Sequence, residues 1–324
     1  MTAEKSVHLP VPPEQAFALL TEPERLRRWK AVSARVDLRA GGEYRWTIVP
    51  GHVASGTFRE IEPGKRLVFG WGWEGNHLDL PPDSSTVTVT FEPADGGTLV
   101  RLVHEGLTAE QEVGHLEGWS HFLERLETQA STGDAGADPW AWAPADLNPI
   151  TSADATLAVL QRVLVTVGDD DLDSQTPCED YTVAQLVEHL LGSLRGLGSM
   201  AGADVQVADT GSVEARVADA AQQALEAWAR RGVEGTVDLG GQQLPAGLAA
   251  GILSLEFLIH AWDVATTVGT KVEVSDEVTT HVLEVAHQLI SPAQREGGSF
   301  AAAVEVGADA HVLDRLIAFS GRSA

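Results

Sequence analysis

The sequence predicts two domains of different class, an α+β half followed by an all-α half. Three observations lead there. Residues up to about 105 show period-two alternation of apolar and polar side chains, and residues from 148 onward show apolar positions at i, i+3 and i+4. A small-residue stretch with Pro and Gly separates them. A chain of 324 residues with 44% hydrophobic content can bury two ordinary cores.

In the first half, residues 43–49 alternate, with Tyr44, Trp46 and Ile48 on one face. Leu67, Phe69, Trp71 and Trp73 repeat the pattern after a turn at Pro63 and Gly64. Val87, Val89 and Phe91 face opposite Thr86, Thr88 and Thr90, and the turn Ala94-Asp95-Gly96-Gly97 leads into a hairpin partner over 99–105. One face of this antiparallel sheet is therefore rich in aromatics. A long helix is expected from 108 to about 128, opened by a capping box of Thr108 and Gln111. Its inner side carries Val113, Leu116, Trp119, Leu123 and Leu126.

Residues 131–147 lack periodicity and are expected to form a linker between domains at 1–130 and 148–324, with Trp140 and Trp142 docking on one of them. Helices are expected over 156–167, 182–197, 212–230, 247–268 and 276–290, with Gly, Pro and Asp clusters between them. Together they predict a bundle. Thr182 and Gln185 form a second capping box. The helix over 247–268 is apolar almost all round, which marks it as buried.

The net charge of −25 is uneven: residues 1–130 hold 13 Lys and Arg against 19 Asp and Glu, a net of −6, and the remainder carries −19. Such a surface argues against nucleic acid as a partner, because phosphate binding needs a basic patch. The single cysteine, Cys178, excludes an internal disulfide and any multi-cysteine metal site. It precedes a helix start, which favours a thiolate, but a spare thiol is the better account of it. No basic and apolar leader is evident, and no apolar run is expected to reach the roughly 20 residues of a membrane helix. A cytoplasmic protein that neither crosses nor binds a membrane is expected.

The strongest chemical lead lies in the second half. Glu256, His260 and Asp263 sit at i, i+4 and i+7 on one stripe of the apolar helix, and His189 lies at the flank of the buried stripe of the helix over 182–197. Two imidazoles and a carboxylate are the ligand set of an open zinc-type site, with a position left for water or substrate. Asp263 is placed to orient His260 from behind. The competing account is that the stripe is only the water-facing edge of its helix. His281 and His287, six apart, do not share a face and are expected to be structural or solvated.

Two resemblances add to this. The runs PVPPEQAFALLTEPERLRRW, DLRAGGEYRW, GTFREIEPGKRLVFGWGW, STVTVTFEPADGGTLVRLVHEGL and GWSHFLERLE resemble, in order over about residues 5 to 130, the single-domain relatives of the Hsp90 ATPase activator in the START-like helix-grip (SRPBCC) superfamily. The resemblance implies a curved antiparallel sheet around a long helix, with an apolar ligand cavity between them lined by Trp46, Trp71, Trp73 and Trp119. It does not imply Hsp90 as a partner, since nothing in the sequence marks such a surface.

TPCEDYTVAQLVEHLLGSL, LEFLIHAWDVATTVG and HVLDRLIAFSGR resemble the DinB-like bundles of the mycothiol-dependent maleylpyruvate isomerase family, over about residues 148 to 324. That resemblance implies a divalent metal, zinc by the donor set, at His189, Glu256 and His260, with mycothiol as a thiol cofactor assisted by Arg195. The sequence ends soon after the bundle, without the isomerase's further C-terminal domain, so maleylpyruvate is not expected as substrate. The expected function is a metal-dependent thiol transferase or isomerase acting on a small electrophile, fused to an apolar-ligand-binding domain. The alternative is a non-catalytic ligand-binding or regulatory protein with a structural metal.

Overall fold

The computed structural model describes residues 1–178, 181–296, 300–307 and 309–323. Two compact units divide the chain, Met1–Asp138 and Pro139–Ala324.

The first unit is a seven-stranded antiparallel sheet with one long helix. Strands β1 (Thr2–Leu9), β2 (Ser33–Val36), β3 (Glu43–Val49), β4 (His52–Glu62), β5 (Arg66–Trp71), β6 (Ser85–Ala94) and β7 (Gly97–Glu105) lie in the order β1-β7-β6-β5-β4-β3-β2. Helices α1 (Pro13–Thr21) and α2 (Pro23–Trp29) link the two edge strands, β1 and β2. The hairpin expected at Asp95-Gly96 closes with Ala94 opposite Gly97. Register shifts near Thr47/Val49 and Phe58/Glu60 sit where β4 passes between its neighbours, and such irregularities bend a sheet. Val87, Val89 and Phe91 are buried, as the alternation requires. The strand bearing Trp71 ends there, and Trp73 returns to the sheet only through an isolated bridge to Ala54.

Helix α3 (Ala109–Thr132) begins with the expected capping box, Thr108 accepting from the Gln111 amide. Its inner stripe differs from expectation. Val113 is 69% exposed, and the buried positions are Gln111, His115, Trp119, Phe122, Leu123 and Leu126. The reason is polar satisfaction. Gln111 donates from its side-chain amide to the carbonyls of Leu78 and Asp79, and His115 is bonded at both ring nitrogens, so two polar residues occupy turns that periodicity assigns to apolar ones.

The stretch expected as a linker is shared between the units. Arg125 donates to the carbonyls of Ala135, Gly136 and Ala137, and Asp138, 8% exposed, pairs with His121 and Arg125. The next residues form a short helix, α4 (Pro139–Trp142), packed on α5 (Pro149–Leu164). Asn148 caps α5, which starts at Pro149, seven residues before the predicted helix start, because the Asn-Pro-x-Thr signal at 148–151 is itself a capping box.

The second unit is a helical bundle. It adds α6 (Val183–Met200), α7 (Val213–Arg231), a small hairpin of β8 (Thr236–Leu239) and β9 (Gln242–Pro245), α8 (Ala246–Val268), α9 (Asp276–Leu289), α10 (Pro292–Glu296) and α11 (Val312–Phe319). Helices α5 and α8 form its centre, with α9 and α6 also against α8. Contrary to expectation, α8 is long and apolar enough to cross a membrane by length and composition alone. Its apolar window is 78% buried inside the fold, which accounts for that composition.

Candidate functional site

In the second unit, α6 and α8 bring His189, Glu256 and His260 together: one ligand atom from each lies within 4.8 Å of the other two. Glu256 Oε2 stands 3.4 Å from His189 Nε2 and 3.7 Å from His260 Nε2, and the imidazole rings meet edge to face. Donor atoms about 2.1 Å from one tetrahedral ion stand roughly 3.4 Å apart, so the spacing suits a shared ion. Glu256 Oε2 is buried and makes no hydrogen bond. An orphaned carboxylate oxygen between two imidazole nitrogens is an acceptor set waiting for a cation, and a borderline-soft ion such as zinc fits it.

The ring of His260 is fixed from behind. Its Nδ1–H donates to Asp263 Oδ2 at 2.9 Å, which leaves the Nε2 lone pair toward the cluster. Asp263, fully buried, is in turn held by both ends of the Arg322 guanidinium at 2.7 and 2.9 Å. Tyr181 stacks on His189 at 5.1 Å between ring centres. Burial opposes ionisation of Glu256, yet the His189 and His260 imidazoles outweigh it and hold the carboxyl below its ordinary range. The Glu256 carboxylate, 3.4 Å away, raises His189 against the opposing effect of burial. Asp263 is likewise held low by His260 and Arg322 despite burial.

Arg195, expected as a cofactor contact, is exposed on α6, six residues and so about 240° beyond His189. The guanidinium that reaches the cluster is Arg322, close enough to feel Glu256 and Cys178. Sequence spacing gave no signal for it, because 59 residues separate it from Asp263. Cys178 is half-buried and not in a disulfide.

In the first unit, the region between sheet and α3 is nearly filled. A cavity of about 10 Å³, the space of one water, is lined by Trp46 and Trp119, together with Trp29, Lys30, Phe69 and aliphatic residues. Trp71 and Trp73 instead meet at His115, both donating to its Nε2 at 3.2 and 3.3 Å. Trp119 donates to His104 Nδ1 at 3.2 Å, and His104 Nε2 in turn donates to Ser85 Oγ at 2.8 Å.

Nothing in the sequence singles out Lys30, because a lysine just after a short helix is ordinarily solvated. It follows α2, is 5% exposed, and its Nζ lies 4.1 Å from the Trp119 ring centre, 5.1 Å from those of Trp46 and Trp71, and 5.6 Å from that of Trp29. Cation–π contacts are worth roughly 0.5–2 kcal/mol each. Losing water costs an ammonium several kcal/mol more than one such contact returns. Burial therefore pushes Lys30 well below its usual value.

His104 gives a testable pH effect. Burial, with His115 and Lys30 nearby, lowers its pKa to about 3, so the folded state holds it neutral. The unfolded chain binds that proton near pH 6.5, so stability is complete above about 6.5 and declines as pH falls toward 3. Urea unfolding of the first unit, followed by tryptophan fluorescence, is expected to show this decline, and His104→Asn to flatten it. An unchanged slope in the variant would assign the pH dependence elsewhere.

Residues 10–130 match the family described as activator of Hsp90 ATPase homolog 1-like protein, and residues 153–265 match the mycothiol maleylpyruvate isomerase N-terminal domain. The chain joins one domain of each kind. An uncharacterized protein of Mycobacterium tuberculosis is 27% identical over 180 residues, covering 55% of this chain and 99% of its own length. The human activator of 90 kDa heat shock protein ATPase homolog 1 is 26% identical over 113 residues, 34% of this chain and 31% of that protein, so the match spans less than a third of it. Among solved structures, CalU16 from Micromonospora echinospora is 25% identical with a TM-score of 0.34, over 41% of this chain and 85% of that one. The Aha1 dimer from Colwellia psychrerythraea is 19% identical with a TM-score of 0.35, over 41% of this chain and 98% of that one.

Proposed function

We propose that the second unit is a metal-dependent thiol enzyme, a transferase or isomerase that uses a mycothiol-type cofactor on a small electrophile, and that the first unit holds an apolar ligand. The observation that carries this is the buried, unbonded Glu256 Oε2 between His189 and His260, within residues matched to the mycothiol maleylpyruvate isomerase N-terminal domain. A divalent ion held by those three residues would supply a Lewis acid that favours the thiolate over the thiol.

The chain's own part is arrangement and charge. Asp263 keeps the proton of His260 on Nδ1, so Nε2 stays free, and Arg322 keeps Asp263 ionised and in place. Arg322 also adds positive charge beside a cluster that would receive an anionic thiolate. The surrounding α8 is apolar, which strengthens these interactions on the buried side of the cluster.

The test is consumption of mycothiol in the presence of a panel of electrophiles, with purified protein reconstituted with zinc. Turnover that requires the metal and disappears in Glu256→Ala is expected. No metal-dependent thiol consumption, together with tight binding of an apolar ligand by the first unit, would instead favour the non-catalytic binding protein.

A further inference from the structure

The first unit holds an amine in an unusual place. Lys30 Nζ lies among four indole rings, and no hydrogen bond or ion pair to it is found among the described residues. The indole N–H groups around it are otherwise used: Trp29 donates to the Leu19 carbonyl, Trp71 to His115 and Trp119 to His104. Trp46 is the exception. Its Nε1 is buried with no partner, and Trp46 and Lys30 line the same small cavity. A buried amine and a buried donor, both unspent, border one apolar cavity of about 10 Å³, which a carbonyl compound enters only by displacing the side chains that line it.

These groups suit one ligand chemistry. A desolvated lysine without a counter-ion is held as the free amine, a nucleophile toward carbonyl carbon. A neighbouring N–H donor suits the carbonyl oxygen as it gains charge. We propose that Lys30 is a covalent attachment site for an apolar aldehyde or ketone, forming an imine with Trp46 Nε1 bonded to the carbonyl oxygen during attack. The amine lone pair forms the N–C bond, the carbonyl π pair moves to oxygen, and one amine proton passes to that oxygen, giving a carbinolamine. The hydroxyl then leaves with the second amine proton as water, and the C=N bond forms. No oxidant, reductant or second reactant is needed. The site belongs to the first unit and stands whether or not the second binds a metal.

The chain supplies its own controls, because its only other lysines are Lys5, Lys65 and Lys271, of which Lys65 and Lys271 are exposed. At pH 7 an ordinary lysine amine is roughly one part in a thousand unprotonated. The full-length protein is treated with butanal at low concentration and sodium cyanoborohydride, which reduces the imine to a stable butyl amine, and the label is mapped by peptide mass spectrometry over time. Labelling of Lys30 at least tenfold faster than of Lys65 and Lys271 is expected, with the N-terminal amine scored separately. Trp46→Phe is expected to slow Lys30 labelling severalfold without moving the other lysines. Labelling of Lys30 no faster than of the exposed lysines overturns the proposal, whether the cavity stays closed or the amine stays charged. Slow labelling alongside saturable binding of butanoate would do the same, and would make the site a carboxylate pocket.

Discussion

His260→Ala is expected to abolish binding of one divalent ion per chain, measured as zinc content after purification without chelators or affinity metals and by competition with a chromogenic chelator. Loss of a residue that merely orients a ligand weakens metal affinity by about 10–100-fold. Removing one of three direct donors should exceed that. In the cluster as it stands, His189 is raised by the neighbouring Glu256 carboxylate, so a metal must displace a proton that the pair favours. Affinity is therefore expected to begin falling above pH 6.5, the ordinary imidazole value, and to go on falling as pH drops below it. Arg195→Ala, exposed on α6, should leave the metal content unchanged. Full zinc occupancy in His260→Ala would sink the assignment.

Asp263→Ala should be the most damaging single substitution for the stability of the second unit. It removes the shared acceptor of His260 and Arg322 and leaves a guanidinium, 10% exposed, without its partner. Removing one member of a buried ion pair costs about 3–5 kcal/mol. The double variant Asp263→Ala/Arg322→Met should recover part of that loss, since it removes the stranded charge as well. Asp263 ionises more easily in the folded protein than in the unfolded chain, so its contribution is present at neutral pH. It is lost as pH falls below about 4 and through the folded value, so the gap between wild type and variant should close in acid. Urea unfolding at pH 7 and at a pH well below 4 reads both effects. A loss at pH 7 below about 1 kcal/mol would show that the pair is spread over other partners.

The sequence by itself determined strands β3, β5, β6 and β7, helix α3 and the five main helices of the bundle, α5 to α9, in their order. Alternation fixed which faces of β3, β5 and β6 are buried, capping boxes at Thr108 and Thr182 fixed two helix starts, and the Glu256, His260 and Asp263 stripe followed from the 100° step of a helix. These are local properties, set by neighbours within a few residues. What only the tertiary structure decided were the pairings across the chain: Arg322 on Asp263, His115 beneath Trp71 and Trp73, and Lys30 among four indoles. Val113 turned outward for the same reason, because Gln111 and His115 found polar partners far along the chain and took the inner turns. A buried polar group is tolerated only where a partner satisfies it, and that partner's position depends on how distant elements pack, which no local spacing records.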